Sequence, residues 1–378
     1  MLIDLLYRTT ELYILNSRLF STGLATLLSF LLAILFFPPY IAFLRRLHIS
    51  SEFDSNGKKI EPVMPAGILF LLIVSVVTII TVRINSYVIS GLIIYIFFSI
   101  IGAIDDIAKV VNKHKVQKGT LSKEDYQYKA DGISASLRLT LYIVISVIVA
   151  ILAYIYIPNI NGTISLPFIS ITRQFPYLPF WLFIPFMTMT IAVLANGVNF
   201  TDGIDTLAAV PSITCLLFVG VISFISSNSV WSTYLLIPHI AGLLELLPLI
   251  GAVIGTLLAY LWFNSPPSTI IMGDSGSVGL GGFIGILFVF TKAGFFLPIV
   301  GFIFLFEFVS VFIQIGYYKL TGKRFFLMAP IHHHFEKKML KSGLYTNGFQ
   351  IKSKIMWRFH IVSVVLLIVG LVLFLKVR

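Results

Sequence analysis

The chain has 378 residues, of which 58% are hydrophobic and 11% charged, with a mean hydropathy of +0.97. A soluble domain carries roughly 25% charged residues, so composition excludes a soluble enzyme or binding module. The formal net charge of +11 raises nucleic acid or anionic lipid as partners, and the single Cys215 excludes a disulfide framework.

A helix needs about 20 apolar residues to cross the hydrocarbon. Asp4 and Glu11 interrupt the start, so no cleavable signal peptide is expected, and residues 1–22 read as interfacial. The first span is expected over 23–44, bent near Pro38-Pro39, followed by a polar loop with Arg45, Arg46, Lys58 and Lys59. The second and third lie at 66–82 and 87–104. Asp105-Asp106 then opens a long basic loop reaching about residue 133. The fourth and fifth spans cover 135–157 and 177–195. Next comes the polar stretch Asn196-Gly-Val-Asn-Phe-Thr-Asp-Gly-Ile-Asp205, and a sixth span at 207–227. The seventh crosses at 246–263 and leads into Asn264 and Met272-Gly-Asp-Ser-Gly-Ser277. Residues 277–317 are long enough for two spans with a turn at 291–294. A basic loop over 318–356 precedes a tenth span at 357–375.

The expected fold class is therefore all-α: a single polytopic membrane domain of about ten helices. Of the 27 Lys and Arg, 20 fall in the loops after the first, third and ninth spans or, as Arg138 and Arg358 do, in the first turn of the span that follows. By the positive-inside rule these loops are cytoplasmic, and an even span count puts both termini on the periplasmic side. The bias explains the net charge without nucleic acid. It also places every polar cluster on one face, in loops at about 45–65, 105–134, 196–206, 264–276 and 318–356.

Asp105, Asp106, Asp202, Asp205 and Asp274 all stand at span ends on that face. An isolated Asp there is often only a helix cap. Five in Gly/Asn/Ser-rich settings suit magnesium, which takes one or two carboxylates and leaves room for substrate phosphates. Residues 273–277, opening a helix, offer backbone N–H groups to a phosphate. The internal run His332-His333-His334 has no further His or Cys spaced to complete a zinc site, so anion binding or proton transfer suits it better. Glu245 and Glu307 sit inside apolar runs, where a structural partner within the bundle is the expected role and a proton relay the alternative.

Four motifs carry a resemblance: Asp105-Asp106-Ile-Ala-Lys109, Asn196 to Asp205, Met272 to Ser277, and Ala329-Pro-Ile-His-His-His-Phe-Glu336. Together, in this order, they resemble the polyprenyl-phosphate N-acetylhexosamine-1-phosphate transferases over residues 58–360. The triple His followed by Phe-Glu is similar to the branch that uses UDP-N-acetylmuramoyl-pentapeptide. The resemblance implies an enzyme of the bacterial inner membrane with a cytoplasmic site. It implies magnesium-dependent transfer of phospho-N-acetylmuramoyl-pentapeptide to undecaprenyl phosphate, giving lipid I and UMP, with room for a homodimer in the bilayer. Carried over by position, Asp274 is the metal ligand, and Asp105, Asp106 and His333 join it as catalytic residues. Asn199, Asp202, Gly203, Ile204 and Asp205 line the nucleotide and diphosphate side. Lys58, Lys109, Asn264, Gln314, His332 and His334 complete the pocket. Three departures stand out: Glu61-Pro-Val-Met-Pro-Ala66 replaces the usual Thr-Pro-Thr-Met-Gly-Gly, Ile271 replaces an aromatic residue, and the loop from Asn112 to Gln127 differs in length and composition. A sibling that moves N-acetylglucosamine-1-phosphate, and a cation or proton transporter built on Glu245 and Glu307, are the competing readings.

Overall fold

The computed structural model describes residues 2–47, 50–53, 59–117, 134–157, 159–167, 176–343 and 347–375. Its helices are α1 (Leu2–Thr10), α2 (Arg18–Arg46), α3 (Gly67–Thr81), α4 (Ser86–Gln117), α5 (Ala135–Tyr156) and α6 (Phe180–Thr201), then α7 (Ala209–Ser227), α8 (Leu246–Asn264) and α9 (Gly273–Phe290), and finally α10 (Phe302–Thr321), α11 (Ile331–Lys341) and α12 (Gly348–Leu375). Among the described residues nine helices are long and apolar enough to cross a membrane. The shorter apolar α3 is the tenth element of the expected pattern.

Helix α9 is the axis of the bundle. It is 94% buried, held between α4 on one side and α6 on the other. Its six glycines let neighbouring backbones approach closely, the usual way helices pack where lipid removes the hydrophobic drive. The outer helices α2, α5 and α12 are each only 28% buried and turn rows of Leu, Ile and Val outward, as lipid-facing surfaces must.

Several boundaries differ from expectation, for one reason. Apolar content marks where a helix enters hydrocarbon, not where it stops. Helix α4 runs on to Gln117, nearly three turns past Asp106, because no Gly or Pro interrupts it before Gly119. Asp105 and Asp106 are therefore helical residues rather than the start of a loop. Helix α6 likewise takes in residues 196–201. Helix α12 starts at Gly348, nine residues earlier than expected, and α11 occupies the middle of what reads as a basic loop.

The all-helical description needs one small amendment. β1 (Ser50–Phe53) and β2 (Lys59–Val63) form an antiparallel hairpin with Glu52 opposite Ile60. The two glutamates within apolar runs have structural partners. Glu245 Oε1 accepts from Arg18 Nε at 2.9 Å, and Glu307 Oε2 lies 3.1 Å from His332 Nδ1.

Candidate active site

Asp105, Asp106 and Lys109 follow one another on α4 at spacings that put Asp105 and Lys109 on one helix face. That face meets the N-terminus of α9. Asp105 Oδ2 and Asp274 Oδ2 share the same two cations. Lys109 Nζ lies 2.8 Å from the first and 2.9 Å from the second, and Arg138 Nη1 lies 2.8 Å from each. The Asp105 side chain is fully buried, whereas Lys109 and Arg138 keep 32% and 20% of their surface, so the cations form the open side of the cluster. Asp274 Oδ1 accepts from Asn199 Nδ2 at 2.9 Å, and the same amide reaches Ser277 Oγ at 3.0 Å. Four helices thus converge on one carboxylate.

Asp106 has a different task. Its two oxygens accept the backbone N–H groups of Asp274 and Ser275, at 3.0 and 2.9 Å. It caps α9 from outside and uses the donors that a bound phosphate would otherwise take there. Gly273 makes the approach feasible: its φ is +75°, and a Cβ would stand 2.8 Å from Asp106 Oδ2 and 2.7 Å from the Pro65 ring.

Asp202, Gly203, Ile204, Asp205, Asn264 and Ile271 line a neighbouring cavity of about 40 Å³. Asp205 accepts from Ser268 Oγ at 2.9 Å. Asn264 is spent on the scaffold: its Oδ1 accepts the Thr206 N–H at 2.6 Å and its Nδ2 donates to the Ile270 carbonyl at 2.8 Å. Burial pushes the Asp202 carboxyl well above the usual range, and the charge on Asp274 adds to that. A pKa raised on folding gives stability that is complete at low pH and lost as pH climbs from about 4 through the folded value. Asp202→Asn removes the ionisation. Thermal unfolding in detergent should therefore show the variant gaining a few degrees on the wild type at pH 8, and no gain near pH 4.

The three histidines have three different polar partners, although the rings of His332 and His333 lie 4.2 Å apart. His332 is fully buried and turned towards Glu307, and its ring fills the space beside Gly203, where any Cβ would collide with it. His333 Nδ1 is 3.0 Å from Glu336 Oε2. His334 Nδ1 accepts the Leu327 N–H at 3.1 Å, and Gln314 Oε1 accepts that of Phe326 at 2.8 Å. Burial first, then the neighbouring His332, lowers the His333 pKa. His334 and Gln314 thus fix the turn before α11, while His332 backs the loop at 202–205. Lys58 lies outside the described residues.

Some contributors carry no signal in the motifs. Arg138 enters the sequence analysis only as one more basic residue, and Ser268 and Ser277 only as members of polar stretches with no role of their own. Two of the departures from the family pattern, at Glu61–Ala66 and Ile271, turn out to be one place, and the third lies mostly outside the described residues. Val63 N–H donates to the Thr269 carbonyl, Ile271 N–H to that of Val63, and Ala66 N–H to that of Ile271, at 2.9–3.1 Å. A change on one strand thus faces a change on the other.

Among the described residues no group of three His, Cys, Asp or Glu converges to hold a metal unaided. Magnesium does not require one, since substrate phosphates and water complete its shell. The hard oxygen donors of Asp274, with Asp105 across from it, fit such an ion. They do not fit a tetrahedral nitrogen and sulfur site.

Residues 88–292 match the family model for glycosyl transferase family 4. The chain is 34% identical to the phospho-N-acetylmuramoyl-pentapeptide-transferase of a Nitratiruptor species, over 94% of each chain. It is 35% identical to that of Wolinella succinogenes over 99% of each chain. It is 39% identical to that of Bartonella quintana, over 76% of this chain and 72% of the relative.

Proposed function

The chain belongs to glycosyl transferase family 4, and from that premise we propose how its residues carry out phospho-N-acetylmuramoyl-pentapeptide transfer. The enzyme forms lipid I in peptidoglycan synthesis, as a multi-pass protein of the bacterial cytoplasmic membrane. The donor is UDP-N-acetylmuramoyl-pentapeptide, the acceptor undecaprenyl phosphate, and UMP leaves. The observation that carries the residue-level reading is the shared pairing of Asp105 and Asp274 with Lys109 and Arg138.

An acceptor phosphate oxygen bonds to the donor's sugar-linked phosphorus, and the P–O bond to UMP breaks with its electron pair going to UMP. Both partners are anionic, so the chain must neutralise and align charge more than move protons. Asp274 would hold magnesium, with Asp105 opposite. The ion would neutralise the diphosphate and polarise the bond that breaks. Lys109 and Arg138 face the phosphates from the open side. Asn199 fixes the Asp274 carboxylate, and Asp202, Gly203, Ile204 and Asp205 form the wall for the nucleotide half of the donor. His333, its Nδ1 beside Glu336 Oε2, would take up a proton that the acceptor phosphate carries in.

An apolar groove of about 590 Å³ gives the acceptor's chain a place. It is lined by Leu139 and Ile143 of α5, Thr188 and Asn196 of α6, and Phe308 and Phe312 of α10. Leu139 is the residue after Arg138, and Asn196 lies one turn before Asn199, so the groove starts where the charged cluster ends. The face is cytoplasmic because the basic loops collect there, which leaves both termini periplasmic. One chain supplies every residue of the site, so the reading does not depend on a homodimer.

Purified enzyme should release UMP from UDP-N-acetylmuramoyl-pentapeptide with undecaprenyl phosphate and magnesium. Chelation should abolish release, and added magnesium should restore it. Release from UDP-N-acetylglucosamine instead would transfer the assignment to the sibling activity.

A further inference from the structure

Thr206 is held in a conformation that its own side chain opposes. Its φ is +62°, the left-handed region, and of the positive-φ non-glycine residues described it alone is β-branched. Such a backbone persists only when its surroundings over-determine it. Here three groups do so. Asn264 takes the Thr206 N–H at 2.6 Å, and the first turn of α7 donates Val210 N–H to the Thr206 carbonyl at 3.3 Å. From the other side, His360 Nε2 lies 3.2 Å from that carbonyl oxygen and 3.4 Å from Thr206 Oγ1. A carbonyl only accepts, so Nε2 carries the hydrogen in this contact.

His360 belongs to α12, far from every motif in the sequence, and is 8% exposed. The same helix grips the residues on either side of Thr206. Ile204 and Leu207 are buried against Ile355 and Phe359 in a small apolar cluster separate from the main core. The last transmembrane helix thus holds the wall at 202–205 by apolar contacts on both flanks and one polar contact at the strained centre.

We propose that His360 is a positioning residue for the transfer. It keeps Thr206 in the left-handed conformation and so sets Asp205, one residue before it, and Asp202 against the nucleotide half of the donor. The inference rests on the reading above, in which this wall receives the UDP moiety.

The experiment compares KM for each substrate, and kcat, in wild type, His360→Ala, His360→Gln and the double variant His360→Ala/Thr206→Gly. Loss of the imidazole should raise KM for UDP-N-acetylmuramoyl-pentapeptide about tenfold, the size of one lost hydrogen bond to a strained group. KM for undecaprenyl phosphate and kcat should stay within about twofold. Gln can donate from its amide and should recover most of the loss. Glycine adopts positive φ without strain, so Thr206→Gly should rescue His360→Ala. Equal rises in both KM values, a fall in kcat alone, or no rescue by glycine would each overturn the proposal. A wild type inactive on this donor would bring down the functional reading and this inference with it. An active wild type whose His360→Ala variant binds donor normally would overturn the inference alone.

Discussion

Asp274→Asn should lower UMP release about a thousandfold, roughly 4 kcal/mol of transition-state stabilisation, while the protein stays folded. The side chain is nearly isosteric, and the N-terminus of α9 keeps its cap because Asp106 supplies it. What changes is the charge at the meeting point of four helices. An amide oxygen can still accept from Asn199, but the amide nitrogen then faces Lys109 and Arg138, two donors with nothing to accept. A magnesium ion also loses the carboxylate that fits it. Thermal unfolding and size-exclusion behaviour should match the wild type. Near-normal turnover would remove Asp274 from the metal site and from the centre of the reaction.

Arg138→Met should cost about a hundredfold in kcat/KM, a figure in line with loss of one charged group that stabilises transferring phosphate. Arg138 touches both central carboxylates through one nitrogen, and without it Lys109 alone must hold two negative charges. The contact is made by a single Nη1 rather than by the two-pronged fork that only Arg provides. Arg138→Lys should therefore recover activity to within about tenfold of wild type. Steady-state assays of the three proteins decide it. A methionine variant with wild-type kcat/KM would reduce Arg138 to a surface ion pair.

Arg138 also illustrates what a single sequence withholds. The carboxylates of the site are legible because Asp beside apolar runs is costly and several recur in glycine-rich settings. Arg138 stands at the start of an apolar run where basic residues are ordinary, and its partners lie 33 and 136 residues away. Only the packing of α5 against α4 and α6 brings it in. The same holds for His360, whose contact with Thr206 spans 154 residues. The order of the spans, and nine of the ten expected, are legible because hydrophobic runs of about 20 residues report directly on the bilayer. Helix ends are not, since α4 and α6 continue on helix propensity and tertiary contacts after their apolar stretch ends. Adjacent in sequence, Asp105 and Asp106 are told apart there only by the resemblance, which gives Asp105 the acceptor phosphate and Asp106 a supporting part. The structure divides them, one capping α9 and the other facing the cations.

The burial of α9 bears on how the protein is made. A segment that is 94% enclosed, rich in glycine and headed by Asp274 is a poor candidate to leave the translocon for lipid by itself. It has to wait for α4 and α6, the helices that cover it and that emerge earlier from the ribosome. Asp106 then meets the α9 backbone only after both helices are in the bilayer, so assembly of the bundle and completion of the charged cluster are the same event. In glycosylation-mapping experiments, α9 alone should insert poorly, and α9 expressed behind α4 to α8 should insert well.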